Sequence, residues 1–148
     1  MQHQSAATMD YGSLIWVTLQ RAATAREAIN TLGALMKEYG YASEGESFSI
    51  ADQTEAWVME IIGKGEYELG AVWVAVRVPD GAVTAHANQA RITTFPLDDP
   101  ENAIYAEDVI SFAKKIDLYD RKARDSDFSY SDVYGEIILL HVCIVSYM

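Results

Sequence analysis

The sequence predicts an α+β fold in which an antiparallel β-meander is flanked by helices, and three observations carry that prediction. Thr24 and Glu27 have the spacing of a helix capping box, and Ala25, Ala28, Ile29, Leu32, Leu35, Met36 and Tyr39 recur at three- and four-residue steps behind it. Trp57, Met59 and Ile61 alternate with Val58, Glu60 and Ile62, the period of a strand. Val72 to Val78 is almost wholly β-branched or aromatic with Arg77 its one charge, the pattern of a strand covered on both faces.

Each element follows in order. Residues 1–8 read as a disordered lead-in, and Met9 to Ala22 mixes Leu14, Ile15, Val17 and Leu19 into a short helix. The capping-box helix ends at Gly40, a residue suited to a C-terminal cap. Phe48 to Asp52, a turn at Gln53, Thr54 and Glu55, and Ala56 to Ile62 form a hairpin. Gly63, Lys64 and Gly65 turn the chain toward Val72. Pro79, Asp80 and Gly81 then supply a fixed φ, a side chain that bonds its own backbone and a residue free to take positive φ. The chain is expected to reverse there into a fourth strand, Ala82 to Ala87, completing the meander. Residues 93–103 read as loop. Glu107 and Asp108 open a second amphipathic helix with Val109, Ile110, Phe112, Ala113 and Ile116 inward, and Lys114 and Lys115 sit at the end whose dipole favours cations. Asp117 to Asp132 is polar and turn-rich.

Composition bounds the function. A chain of 148 residues, half of them hydrophobic, forms one domain with a real core. A formal net charge of −11 argues against nucleic acid or an anionic membrane as partner, since both are held by clustered Lys and Arg. Residues 1–10 carry no basic start followed by an apolar core, and no apolar run approaches the roughly 20 residues needed to cross a bilayer. One cysteine, Cys143, excludes an internal disulfide, and three scattered histidines have no metal-ligand spacing.

Chemistry is expected where the fourth strand would end, because His86, Asn88, Gln89 and Arg91 bunch there and a rigid scaffold can aim them. Arg91 reads either as a surface charge or, from its place three residues beyond Asn88, as the group that holds a substrate carboxylate in a bidentate pair. His86 is expected on the same sheet face as Asn88 by strand alternation. Asp52 and Glu60 lie in neighbouring strands, but turn-forming or solvated acids are the commoner reading than an acid–base pair. Arg77 reads as half of an ion pair, Trp57 and Trp73 as core, and Cys143 as a small buried hydrophobe.

Five stretches carry a family resemblance: RAATAREAINTLGALMKEYG, SFSIADQTEAWVMEIIG, GAVWVAVRVPDGAVTAHANQARI, FPLDDPEN, and YAEDVISFAKK with FSYSDVYG. Together they span Arg21 to Gly135, and the third is the most specific. They resemble the dipeptidase A and secernin family of N-terminal-nucleophile (Ntn) cysteine hydrolases. The resemblance implies a slice of an αββα sandwich over 9–135, with the meander as part of one sheet. It implies hydrolysis of short peptides through an acyl-enzyme, no cofactor, and a bacterial-type enzyme either cytoplasmic or secreted. Asn88 matches the asparagine that such hydrolases place at this strand end, where its side-chain N–H stabilises the oxyanion; Arg91 and His86 would face substrate.

The family's N-terminal cysteine supplies nucleophile and base together, and Cys143 matches no family position. The chain is therefore expected to be an internal fragment lacking the nucleophile and inactive by itself, with residues 136–148 an apolar tail, aberrant or a real strand. The alternative is a non-catalytic relic or interaction module that pairs through open sheet edges. Under either reading, the face of Val72, Val74 and Val76 is expected to be uncovered and to promote self-association.

Overall fold

A computed structural model describes residues 4–87 and 89–135. Asn88 and residues 136–148, including Cys143 and the expected apolar tail, lie outside the described residues. The described elements are α1 (Tyr11–Arg21), α2 (Ala25–Tyr39), β1 (Gly45–Ala51), β2 (Ala56–Gly63), β3 (Ala71–Arg77), β4 (Ala103–Tyr105) and α3 (Val109–Lys115). A 3-10 turn at Asp125–Asp127 leads to a further helical stretch over 130–135.

Both N-terminal helices begin where a short polar side chain satisfies a free amide. Asp10 accepts from Ser13 N at 2.7 Å and Thr24 accepts from Glu27 N at 3.2 Å. The Glu27 carboxylate bonds Ala23 N at 2.8 Å, one residue before the cap rather than on it. The apolar stripe of α2 is buried at Ala25, Ile29, Leu32, Leu35 and Met36, while Tyr39 stays exposed near the end. Gly40 ends the helix at φ +76°, where a Cβ would lie 2.5 Å from Leu69 and 2.8 Å from the Ala7 side chain. Within the stretch expected as a lead-in, Gln4 is buried and its side-chain oxygen accepts Gly70 N at 2.9 Å.

The four strands form an antiparallel sheet in the order β1-β2-β3-β4. Its first three strands are the predicted ones. The fourth is not: Ala82 to Ala87 forms no strand, and Val83 is almost fully exposed. The turn itself forms as expected, closed by Ala82 N on Pro79 O at 3.0 Å with Gly81 at φ +78°. What prevents the hairpin is that both edges of β3 are taken, one by β2 and the other by Ala103–Tyr105, a strand the sequence reading did not identify.

Strand alternation divides the sheet. Trp57, Met59, Ile61, Trp73 and Ala75 share the face that carries α2, so close that a Cβ on Gly33 would stand 2.5 Å from the Trp73 ring. Glu60, Ile62, Val72 and Val74 share the other face. That face is covered within this chain, correcting the expectation of an open apolar surface: Val72 and Val74 are fully buried and Val76 half-buried. The cover includes Tyr130, whose hydroxyl shares its one proton between Glu60 O at 3.2 Å and Val72 O at 3.1 Å. Phe95, Phe128, Tyr134 and Tyr130 are all buried and meet in that order through edge-on or tilted ring contacts, so the stretch read as polar and turn-rich ends in core aromatics.

Candidate functional site

Residues 82–86, which form no strand, line a cleft of about 370 Å³ together with residues of β2 and β3 and with Arg91 and Ile92. Val58, Val76 and Ile92 supply its apolar wall, and Glu60, Arg77, His86 and Arg91 its polar groups. Two of the three residues expected to carry chemistry, His86 and Arg91, therefore line one cavity. Asn88, the third, lies outside the described residues.

His86 reaches the cleft by a different route from the one expected. With no strand at 82–87, alternation cannot place it; instead its Nε2 lies 2.7 Å from Ser49 Oγ on β1. Arg91 is exposed, and its Nη2 donates to Gln89 Oε1 at 2.9 Å. The guanidinium thus stands at the mouth of the cleft, held by a neutral partner and carrying no carboxylate contact among the described residues.

Glu60 is the residue that sequence reasoning passed over. It sits mid-strand in β2, 2 % exposed, and its two carboxylate oxygens accept consecutive amides: Arg91 N at 2.7 Å and Ile92 N at 3.0 Å. Burial pushes its pKa up from the ordinary carboxylate value, while the Ile92 and Arg91 amides and the nearby His86 and Arg91 charges oppose that rise. The available signal was an acid flanked by Met59 and Ile61 in a strand otherwise apolar, since a buried carboxylate requires partners. It is not paired with Asp52: Glu60 lies opposite Ser47 in the ladder, and Asp52 belongs to the turn beyond it. There Asp52 accepts Thr54 N at 2.7 Å and Glu55 N at 3.1 Å.

Arg77 is an ion-pair partner as expected, with Nη2 2.8 Å from Asp80 and Nε 3.6 Å from Glu55. Glu55 is shared with Arg26 at 3.0 Å, and Arg26 also bonds Pro100 O and Glu101 O, tying α2 to the loop before β4. A second charged cluster lies beyond α2, where the nearly buried Lys64 meets Asp108 at 2.5 Å and Glu68 at 3.0 Å. Burial alone would lower the Lys64 pKa, but the two carboxylates outweigh it and raise it. No group of three or more His, Cys, Asp or Glu among the described residues could hold a metal ion, and no helix among them is long and apolar enough to cross a membrane.

The family model described as peptidase family C69 matches residues 4–138. The chain belongs to this family. Among relatives of this C69 chain, a dipeptidase of Bifidobacterium longum is 34 % identical over 124 residues, covering 80 % of this chain and 22 % of its own. A "Probable dipeptidase A" of Streptococcus pyogenes serotype M1 is 36 % identical over 107 residues, 72 % of this chain and 20 % of its own. A dipeptidase A of Lactobacillus helveticus is 30 % identical over 122 residues, 82 % of this chain and 23 % of its own. The C69 chain thus spans about a fifth of the length of the curated relatives it matches.

Proposed function

We propose that this chain forms the substrate-facing side of a dipeptidase site, in an enzyme that hydrolyses short peptides through an acyl-enzyme without a cofactor. The observation that carries the reading is the cleft itself, where an exposed Arg91 free of carboxylate partners among the described residues stands beside His86 over an apolar wall. A guanidinium so placed binds the α-carboxylate that every short peptide carries, in the two-bond geometry lysine lacks. The apolar wall accepts a side chain.

The reaction divides by residue. A cysteine thiolate supplied by sequence outside these 148 residues attacks the amide carbon, and its own α-amino group takes the thiol proton and returns it to the leaving amine. Asn88 donates its side-chain N–H to the oxyanion of the tetrahedral intermediate. Arg91 holds the substrate carboxylate and thereby the register of the scissile bond. His86, bonded to Ser49, lines the substrate side of the cleft and takes no proton in the reaction.

A panel of dipeptides offered to this chain, and to a form of its relatives' length bearing an N-terminal cysteine, tests the reading. Turnover is expected only from the longer form, and Asn88→Ala in it should slow kcat by about 10²–10³-fold. Undiminished turnover after Asn88→Ala would remove the oxyanion assignment. No turnover from either form would redirect the search to partners that pair with the sheet edge at β1.

A further inference from the structure

The 89–93 segment is clamped from both sides. On one side Glu60 accepts Arg91 N at 2.7 Å and Ile92 N at 3.0 Å. On the other, the carbonyls of Ile92 and Thr93 accept Ser131 N at 2.8 Å and Tyr130 N at 3.1 Å, at the start of the helical stretch over 130–135. The clamp closes on itself, because the Tyr130 hydroxyl donates to the backbone carbonyl of the same Glu60 at 3.2 Å. Both Glu60 and Tyr130 are buried, 2 % and 0 % exposed, while Arg91 between them is exposed.

A carboxylate in the middle of a covered strand is costly to bury, and packing alone would be served as well by an apolar side chain. What the carboxylate supplies is a fork of two acceptors matched to two consecutive amides, an arrangement that an apolar residue cannot make and glutamine makes only by half. We infer that Glu60 is a positioning residue for this site: by accepting the backbone N–H groups of Arg91 and Ile92 it sets where the segment presents Arg91 to substrate. The inference rests on the reading of the cleft as a dipeptide site. Glu60 touches no substrate in it and acts only through Arg91 and its neighbours.

Two measurements on Glu60→Gln test it. In the 148-residue chain, amide hydrogen exchange at Arg91 and Ile92 should speed up about 10–100-fold, the loss expected for a hydrogen bond to a charged acceptor, with Val74 in the adjoining ladder unchanged. In the form of its relatives' length, kcat/KM for dipeptides should fall about 10²-fold, carried mainly by a higher KM. A purely structural role would lower the amount of folded enzyme and so the apparent kcat, leaving KM alone. Unchanged exchange at both amides overturns the inference, and so does faster exchange with native KM. Should Glu60→Gln fail to fold, Glu60→Asp keeps the charge but withdraws it by one methylene, and the same local loosening is expected. If the parent form with Glu60 intact hydrolyses no dipeptide, the dipeptidase reading falls, and the exchange ratios alone decide whether Glu60 holds the segment.

Discussion

The carboxylate of Asp52, at the turn after β1, accepts the backbone N–H of Ala25, the first residue of α2, at 2.9 Å. One side chain therefore closes the β1–β2 turn and satisfies an orphan amide of a helix that precedes it by more than twenty residues. The Ala25 amide is the largest of several bonds holding the Asp52 pKa below its ordinary 3.8, whereas burial holds that of Glu60 above its ordinary 4.5.

The two acids pull stability in opposite directions with pH. For Asp52, folded pKa below unfolded, the contribution is present above about 3.8 and is lost as pH falls through the lowered value. For Glu60, folded pKa above unfolded, the folded state binds its proton more tightly; that contribution is complete below about 4.5 and declines as pH rises through the raised value. Urea unfolding across pH should show Asp52→Asn flattening the acid-side loss and Glu60→Gln flattening the decline above 4.5. Parallel profiles for wild type and both variants would contradict these assignments.

Gly33→Ala sets two effects of known size against each other. Replacing a mid-helix glycine stabilises by about 1 kcal/mol through helix propensity. The new Cβ, however, would meet Trp73 Cζ2 at 2.5 Å, a contact with a buried ring rather than with a flexible side-chain end. Overpacking of this kind costs about 1–3 kcal/mol, so the net change in chemical denaturation should be destabilising by up to about 2 kcal/mol. Adding Trp73→Phe should recover part of it, and a stabilised single variant would show that Trp73 repacks freely.

Tyr130→Phe removes a hydroxyl that bridges β2 and β3 carbonyls from the covering helical stretch. The ring stays and no cavity forms, so the cost should be that of a buried hydrogen bond, about 1–2 kcal/mol, read by chemical denaturation. A change above about 3 kcal/mol would mean that the aromatic stack had moved as well.

Glu55 stands between Arg26 and Arg77, and its side chain is 12 % exposed against 31 % and 25 % for theirs. Glu55→Gln leaves two neighbouring guanidiniums uncompensated on that side, while their partial exposure screens the repulsion. A loss of about 1–2 kcal/mol is expected, shrinking when Arg77→Leu is added. A full double-mutant cycle checks the coupling.

Arg91→Lys tests the carboxylate clamp within the dipeptidase reading. Lysine keeps the charge but not the fork, so KM for dipeptides should rise about tenfold with kcat little changed, and Arg91→Ala should raise it further. Equal KM for all three would move substrate recognition elsewhere in the cleft.

Short-range patterns were readable in this sequence, because each is written within a few residues. The Thr24 N-cap, the apolar stripe of α2, the alternation of Ala56–Gly63 and the turn at Gly81 all depend on local spacing and recur in the structure. Pairings across the fold were not. Nothing near Ala82 announces that the edge of β3 is already filled by Ala103–Tyr105, because a three-residue strand carries almost no periodicity and its partner lies more than twenty residues away. The same holds at the site: His86 and Arg91 could be picked out by residue type, but their placement rests on Ser49 and Glu60, distant in sequence. Local spacing determined the helices and the first three strands, and which side chains were candidates for chemistry. Only the tertiary structure decided which residues hold them, because a buried carboxylate finds its amides through the packing of distant segments, and no sequence period records that.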